Sequence, residues 1–353
     1  PECKGPARRE TDTMDTFVDS AWYFYRYLDP DNATAPFRAE LARAWFPIDL
    51  YIGGITHAIL HLMYARFFSM VMRDLGLGVP GEPVKRLLCQ GMVLKDGSAM
   101  SKSRGNVVAP ETMVDRYGAD VTRLFVLFAA PPERDLEWNK EGVEGLQRFL
   151  RRVWRLVEAP AAELAGVSAR PDSGGPEALA LRRMAHGTLA RVTHDIEQRI
   201  HLNTAIAATM ELTNALYAFR PPEGARGAES LGAGDAAVLK EAIEILLICL
   251  APFAPHLAEE GWSRLGHGGL IARHAWPEPD SALLVRDEVT IVVQINGRIR
   301  GRVTVARGAG EEDVLQVVRA DARLAPQAFP DGEARPSRTI FVPDRLINVV
   351  TSC

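Results

Sequence analysis

The segment Tyr51-Ile-Gly-Gly-Ile-Thr-His-Ala-Ile-Leu-His61 contains the clearest fold signal in the amino-terminal third of the chain. A short apolar run ends at two glycines, and the residues after them repeat apolar side chains at helical spacing. A strand, a glycine turn and a helix in this order indicate an α/β arrangement. Around it, the sequence predicts a strand at 49–52, a helix at 57–75, a strand at 86–94, a loop to residue 106 and a helix at 111–127.

Two further regions follow, each with its own pattern. From residue 133 to 276, apolar residues recur every three or four positions, which predicts a bundle of four or five helices at 142–157, 178–199, 204–219, 236–250 and 255–265. Farther on, Asn296-Gly297 separates two alternating apolar runs and predicts a β-hairpin. A helix at 311–319 and a strand at 339–342 complete a small α+β module. The predicted fold class is therefore multidomain, α/β plus all-α plus α+β, with domains at 1–132, 133–284 and 285–353.

The composition excludes several classes of protein. A hydrophobic content of 47% excludes disorder, and 41 basic against 45 acidic residues exclude a globally basic nucleic-acid-binding protein. Four cysteines are too few for a disulfide scaffold, so we expect a reducing, cytoplasmic location. No run approaches the ~20 apolar residues of a membrane span, so we expect no membrane contact. Because the first residue is Pro1, we expect the sequence to begin inside a longer protein.

A loop rich in small residues and cations follows the strand predicted at 86–94. It runs from Gly91 to Asn106 and includes Lys95, Lys102 and Arg104. Small residues let the backbone approach an anion, and the cations can neutralise developing negative charge, which suits a polyphosphate. The alternative is a surface loop whose lysines are merely solvated.

His57 and His61 are spaced four residues apart, which on a helix places both side chains on one face. This spacing allows a zinc site, but Ala58 stands where a metalloprotease has its glutamate, and no third ligand follows at helical spacing. Two histidines of an apolar core are an alternative. We therefore predict no protein-bound metal in this chain.

Two groups of arginines are candidates for phosphate contacts. The first, on one side of a predicted helix, is Arg148, Arg151, Arg152 and Arg155; the second, alternating along one strand of the hairpin and so sharing a face, is Arg298, Arg300 and Arg302. A solvated helix face and a charged edge strand are the alternative interpretation.

The sequences of these segments resemble those of the leucyl-tRNA synthetases, which belong to the class I aminoacyl-tRNA synthetases. Met100-Ser-Lys-Ser103 resembles the family's KMSKS loop, and Gly53-Gly-Ile-Thr-His-Ala-Ile-Leu-His61 resembles its glycine and histidine stretch. The residues from Glu10 to Phe24 resemble the segment after the family's editing domain. The helical region resembles the family's anticodon-binding domain at 203–206 and 250–260, and the last region its small carboxyl-terminal domain at 293–300 and 342–348.

The resemblance assigns roles to individual residues. Lys102, with Ser101 and Ser103, would stabilise the leaving pyrophosphate. The ATP and adenylate contacts would come from Gly53, Gly54, His57, Met92, Val93, Met100 and Lys102, the leucine pocket from Phe17, Ser20, Tyr23, His57 and His61, and tRNA contacts from the two arginine groups. Ala99 replaces the family's first loop lysine, and Thr56 stands where many relatives carry glutamate.

The implied reaction is ATP-dependent activation of leucine and its transfer to tRNA-Leu, with Mg²⁺ accompanying ATP. The implied fold is a partial Rossmann-like catalytic domain, a helical anticodon-binding bundle and a tRNA-contacting α+β domain. The family's HIGH motif and editing domain are absent from these residues, so we predict that this chain alone is inactive and that its partner is an amino-terminal synthetase half. The alternatives are a non-catalytic tRNA-binding protein derived from a synthetase, or a sibling ligase for isoleucine, valine or methionine.

Overall fold

The computed structural model describes residues 3–167, 175–219, 232–285, 288–330 and 338–351. The chain forms two compact units, Pro1–Trp276 and Pro277–Cys353. The first unit contains two apolar clusters, and the larger one continues across residue 132, because Met113 and Phe125 belong to the same cluster as Val143 and Leu246. The second unit has a core of its own. The domain boundaries at 132 and 284 remain predictions.

The α/β part of the first unit contains short helices and strands around one longer helix. Its helices are α1 (Phe17–Ser20), α2 (Tyr23–Arg26), α3 (Ala39–Trp45), α4 (His61–Asp74), α5 (Pro110–Tyr117) and α6 (Ala119–Phe128). Its strands are β1 (Tyr51–Gly54), β2 (Leu87–Gln90), β3 (Val93–Lys95), β4 (Ser98–Ala99) and β5 (Leu136–Glu137). β1 and β2 pair in parallel, and β3 lies between antiparallel β4 and parallel β5.

Three predicted elements are interrupted. Ile55–Ala58 forms a 3₁₀ turn, so the helix predicted at 57–75 begins only at His61. The strand predicted at 86–94 is divided at Gly91, where the chain turns to pair with β5. The helix predicted at 111–127 is divided at Gly118, whose φ of 90° lies outside the helical region. In each case the apolar pattern continues through the break. The element ends because of the local backbone conformation, which the apolar pattern does not encode.

Helices α7 (Lys140–Glu158), α8 (Ala161–Leu164), α9 (Pro176–His194), α10 (Leu202–Phe219), α11 (Ala233–Leu250) and α12 (Pro255–Arg264) form the predicted bundle. α7 is strongly amphipathic and buries Val143, Leu146 and Leu150 along one stripe. α9 packs against α10 and α11, while α6 and α12 pack against α7. The helix bundle predicted from three- and four-residue spacing is therefore present.

The second unit is a four-stranded sheet covered by helices on one face. It consists of α13 (Ser281–Leu284), β6 (Glu288–Ile295), β7 (Arg298–Ala306), α14 (Glu311–Ala320), α15 (Ala325–Ala328), β8 (Arg338–Val342) and β9 (Leu346–Val350), with strand order β7-β6-β9-β8. The predicted hairpin forms, and positive φ angles at Asn296 and Gly297 close it. β9, which pairs in parallel with β6, was not predicted as a strand.

One described segment, Ile55–Asp74, is long and apolar enough to cross a membrane by length and composition alone. The segment does not overturn the expectation of no membrane contact, since core helices also meet these two criteria. This is weak evidence for a membrane contact, because the segment starts with a 3₁₀ turn and places two histidines in a cavity.

Candidate active site

A cavity of about 280 Å³ lies against the parallel pair β1 and β2. It is closed by α1, by α2 and by the chain around the start of α4. The lining residues are Phe17, Ser20, Tyr23, Tyr51, Ile52, Gly53, Gly54, His57, His61, Leu62, Leu87 and Cys89. All five residues predicted for the amino-acid pocket and both predicted glycines are among them. Residues up to 72 positions apart in the chain thus line one cavity, mostly with apolar atoms.

Sequence reasoning missed five lining residues: Tyr51, Ile52, Leu62, Leu87 and Cys89. Leu87 and Cys89 are two residues apart on β2, so their side chains share a face of the strand. Tyr51 and Gly53 have the same relation on β1. The period-two pattern next to the glycine pair was therefore the available signal for these residues.

The two histidines meet, but not as predicted. His57 belongs to the 3₁₀ turn and His61 is the first residue of α4, so the prediction that they share one face of a continuous helix was wrong. Their rings are edge-to-face with centroids 5.7 Å apart. Among the residues that the structure describes, no three His, Cys, Asp or Glu side chains are grouped to hold a metal ion.

Two tyrosines hold His61 in place. The hydroxyl of Tyr51 lies 2.8 Å from Nε2 of His61 and 2.9 Å from the hydroxyl of Tyr23. The rings of Tyr51 and His61 also stack, with centroids 5.8 Å apart. The three polar groups satisfy one another at the wall of an apolar cavity, as buried polar groups must.

This network is uncharged at neutral pH. Burial, and secondarily the nearby His57, holds the pKa of His61 below its ordinary value. Burial raises the pKa of the Tyr51 hydroxyl, and the hydrogen bond with Tyr23 raises it further. A neutral wall of aromatic rings and hydroxyls suits an apolar side chain with a polar group beside it.

The loop after β3 is built as a small hairpin followed by a 3₁₀ turn. Leu94 pairs with Ala99, and Asp96 and Gly97 form the turn with positive φ angles. Asn106 holds the far end of the loop, because its Oδ1 accepts a hydrogen bond from the Ser101 N–H at 2.8 Å and its Nδ2 donates to the Ala99 carbonyl at 3.3 Å. These two hydrogen bonds join the ends of the loop through Asn106.

Lys102 begins the 3₁₀ turn Lys102–Arg104 and is exposed. It makes no ion pair with any residue in the described ranges. The hydroxyls of Ser101 and Ser103 lie 2.7 Å apart. A free ammonium group beside two hydroxyls can contact a phosphate oxygen.

The structure does not bring every predicted nucleotide contact to the cavity. Gly53, Gly54 and His57 line it, but Met92, Val93, Met100 and Lys102 do not. Met92 and Val93 lead into the hairpin and are about two-fifths exposed. The predicted site thus consists of a cavity and a separate loop that follows β2 in the chain.

The four arginines of α7 have different surroundings. Arg148 and Arg151 line a crevice beside α5. Arg152 instead donates to Oδ1 of Asn214 at 2.9 Å and lies 4.7 Å above the ring of Tyr217, so it faces α10. Arg155 is exposed near the end of the helix.

The arginines of β7 do not share one face. A bulge leaves Arg300 without a partner in the ladder, because Val293 pairs with Gly301 and the next residue pairs with Ile299. As a result Arg298 lies opposite the buried Ile295, whereas Arg302 lies opposite Val292 on the other face. The prediction of a single arginine face was therefore wrong, since strict alternation fails across a bulge.

Comparison with known proteins first defines the class. The family model "tRNA synthetases class I (I, L, M and V)" matches residues 2–139, and the model "Anticodon-binding domain of tRNA ligase" matches residues 179–316. Both matches agree with the order of an α/β part followed by a helical part. The chain is thus similar to class I tRNA synthetases in its first region and to the anticodon-binding domain of tRNA ligases in residues 179–316.

The similar proteins narrow this class. The chain is 50% identical to the leucine–tRNA ligase of Geobacter sp. (strain M21), covering 100% of this chain and 42% of that ligase. It is 49% identical to that of Geotalea uraniireducens (strain Rf4), covering 99% of this chain and 41% of the relative. The predicted resemblance to the leucyl-tRNA synthetases is confirmed, and the chain spans about two-fifths of these curated relatives.

Two solved structures are similar as well. The ternary complex of Agrobacterium radiobacter K84 LeuRS with tRNA and LeuAMS matches with a TM-score of 0.78 and 36% identity, covering 100% of this chain and 44% of that one. Mycobacterium tuberculosis methionyl-tRNA synthetase with methionyl-adenylate matches with a TM-score of 0.52 and 21% identity over 69% of this chain and 48% of that one. The second similarity concerns the fold alone.

Proposed function

We propose that this chain is the part of a leucine–tRNA ligase that carries the leucine pocket, the phosphate-binding loop and the tRNA-binding helices. In the first step the leucine carboxylate would attack the α-phosphate of ATP, giving leucyl-AMP and pyrophosphate. In the second step leucine would pass to tRNA-Leu, and AMP would leave. The cavity beside β1 and β2 is the observation that carries the proposal, because Phe17 and Tyr23 line it together with His61, which is far from both in the sequence.

The cavity suits leucine by its chemistry. Its walls are mainly apolar, so the pocket favours an aliphatic side chain over a charged one. A missing methylene costs only ~1–3 kcal/mol, so binding alone would reject valine or isoleucine weakly. The hydroxyls of Ser20 and Tyr23 supply hydrogen-bonding groups at the edge. The solved LeuRS relative is a complex with LeuAMS, which supports this ligand class.

The loop supplies the chemistry for phosphate. Lys102 would bind the departing pyrophosphate, and Ser101 and Ser103 would orient it. Mg²⁺ would arrive with ATP and be held by the phosphates. This chain would contribute the ammonium group of Lys102. Its approach to the pyrophosphate would depend on the hairpin that Asp96 and Gly97 close.

An exposed apolar surface supports an amino-terminal synthetase half as partner. Met63, Phe67 and Val71 lie at helical spacing on α4 and are exposed by 62%, 62% and 38%. Leu87 and Ile52, on the adjacent strands, are also exposed. Apolar surface of this extent marks an interface, which the rest of the catalytic domain would cover.

A second candidate function is tRNA binding without catalysis. Ala99, which replaces the first loop lysine of the family, favours it, because its methyl group cannot contact a phosphate. Such a protein would bind tRNA with a steep salt dependence and be indifferent to leucine and ATP.

Leucine-dependent ATP–pyrophosphate exchange tests the proposal. The chain is mixed with a separately expressed amino-terminal part of a leucine–tRNA ligase, and Ala99→Lys is assayed in parallel. Exchange by the unmodified mixture would support the ligase. Exchange only with Ala99→Lys would favour the tRNA-binding candidate, and exchange driven by isoleucine, valine or methionine instead of leucine would contradict the proposed substrate.

A further inference from the structure

Two adjoining crevices lie between α5, α6, α7 and α12. One has a volume of about 490 Å³ and is lined by arginines of α5 and α7. The other has a volume of about 440 Å³ and is mostly apolar. Tyr117, Gln147 and Arg151 line both crevices, so the two form one continuous groove, called here the α5–α7 groove.

The first compartment of the α5–α7 groove is cationic. Arg116, Arg148 and Arg151 line it, and none of them makes an ion pair with a residue in the described parts of the chain. The carboxylate that lines the compartment, Glu144, lies 3.6 Å from the ammonium group of Lys140. Three arginines therefore line a space large enough for a phosphate, and the guanidinium of Arg116 lies 5.1 Å from the centre of the Tyr117 ring. Guanidinium is the side-chain group best suited to bind a phosphate.

The second compartment is aromatic and apolar. Tyr117, Leu150, Trp154 and Leu257 contribute its walls, and His256 stands at its edge. Flat aromatic side chains of this kind stack with nucleobases without regard to sequence.

The His256 ring is fixed by Asp120. Oδ1 of Asp120 lies 2.8 Å from Nδ1 of His256, and the same carboxylate accepts the backbone N–H groups of His256 and Leu257 at 3.3 and 2.7 Å. Because Asp120 engages Nδ1, Nε2 of His256 remains for a ligand. The Asp120 carboxylate, in turn, is engaged by three groups of α12, so both of its oxygens are turned toward the start of that helix.

We infer that the α5–α7 groove binds one unstacked nucleotide of an RNA, with its base in the aromatic compartment and its phosphate on the three arginines. The two compartments adjoin, as the base and phosphate of one nucleotide do. The choice of RNA rests on the proposed function, which makes tRNA the partner, and a free nucleotide has the same chemistry. The site goes beyond a charged helix face, because it predicts that aromatic residues contribute as much as arginines.

The test measures binding of a tRNA-Leu transcript to the full chain by fluorescence anisotropy at several salt concentrations, with AMP and inorganic phosphate as competitors. The first variant combines Arg116→Gln with Arg148→Gln. The second is His256→Ala, in which the backbone N–H groups of residues 256 and 257 can still donate to the Asp120 carboxylate. The third is Trp154→Phe, which preserves packing, and Arg43→Gln, on exposed α3, is the matched charge control.

If the inference is correct, the double arginine variant lowers the salt slope by up to about one, because one phosphate contact is lost, and weakens binding at least tenfold. His256→Ala weakens binding about five- to tenfold at an unchanged slope. The unmodified chain shows a saturable change of tryptophan fluorescence on adding tRNA, and Trp154→Phe loses it. Arg43→Gln binds as the unmodified chain does.

Four results would overturn it. If groove variants bind tRNA as tightly as the unmodified chain, the RNA lies elsewhere, and the proposed function is unaffected. If only the arginine variant matters, the groove is a phosphate track without a base site. If AMP binds more tightly than tRNA and displaces it, the site serves a free nucleotide. Failure of the unmodified chain to bind tRNA at any salt would count against the proposed tRNA partner itself, and the inference would fall with it.

Discussion

The Tyr51 and Tyr23 hydroxyls and the His57 ring surround His61 at the wall of the cavity. Since the nearby His57 lowers the pKa of His61, we predict that His57→Gln raises this pKa toward its ordinary value of ~6.5. The pH titration of the His61 ring proton in NMR measures the change. The ring of His267, stacked on Trp262 in the bundle, provides the reference signal. An unchanged His61 titration would show that burial alone sets its pKa.

The same shift has a consequence for stability. Because the pKa of His61 is lower in the folded chain than in the unfolded one, the folded state resists protonation. The stabilisation is complete above a pH of ~6.5 and is lost as the pH falls through the folded-state pKa. We therefore expect the His61-dependent part of the unfolding free energy to decline on acidification below this pH. Urea titrations between pH 7.5 and 5.5 measure the unfolding free energy of the unmodified chain and of His61→Gln. If the two free energies depend on pH in the same way, the prediction is contradicted.

Lys102 is exposed and carries no structural contact in the described part of the chain, so its loss should affect chemistry alone. In the complemented exchange assay we expect Lys102→Gln to lower the rate by ~10²–10³-fold, the usual effect of removing one preorganised charge donor. The melting temperature should stay unchanged. Lys95→Gln, on β3 of the same hairpin, is the matched control, and an equal loss for both lysines would indicate a general charge effect.

At the scale of elements, Gly91 marks the point where β2 ends and the chain turns into β3. A Cβ atom there would lie 2.3 Å from the carbonyl carbon and oxygen of Arg134, which are backbone atoms and cannot move aside cheaply. We predict that Gly91→Ala separates β3 from β5 and destabilises the first unit by roughly 2–4 kcal/mol. Gly187→Ala, inside α9 with open space around its Cβ position, should instead stabilise by ~0.5–1 kcal/mol. Equal effects in thermal unfolding would refute the steric argument.

The element breaks share one physical cause. Residues 57–75 and 111–127 keep an apolar period of 3.6, yet the structure ends or restarts a helix within each. The apolar period shows which side chains point toward the core. A short non-helical link can leave the side chains on both sides of it pointing toward the same core. The bulge in β7 has the opposite effect, because one extra residue reverses the facing of everything beyond it.

At the scale of the molecule, the helices after the loop and the bundle form one core. Met113, Leu124 and Phe125 pack in the same cluster as α7, and Asp120 caps α12 across 136 residues of chain. We predict that Asp120→Ala costs about 1–2 kcal/mol, the usual cost of a lost helix cap, and loosens α6 together with α12. Amide hydrogen exchange should show faster exchange in both helices. Amides of β6 and β7, in the second unit, are the internal control, and faster exchange in α12 alone would contradict a shared core.

The amino-acid sequence by itself determined the kind of each region, most helices, the hairpin and the family resemblance. It also indicated part of the pocket, because Phe17, Tyr23, His57 and His61 stand in segments that resemble the family's. Only the tertiary structure decided that Tyr51 fixes His61, that Arg298 and Arg302 lie on opposite faces, and that α5 joins α7 and α12 around a groove. The reason is physical: local patterns record how a residue faces its own helix or strand. Which remote residues meet depends on how the elements pack, and no single segment encodes that.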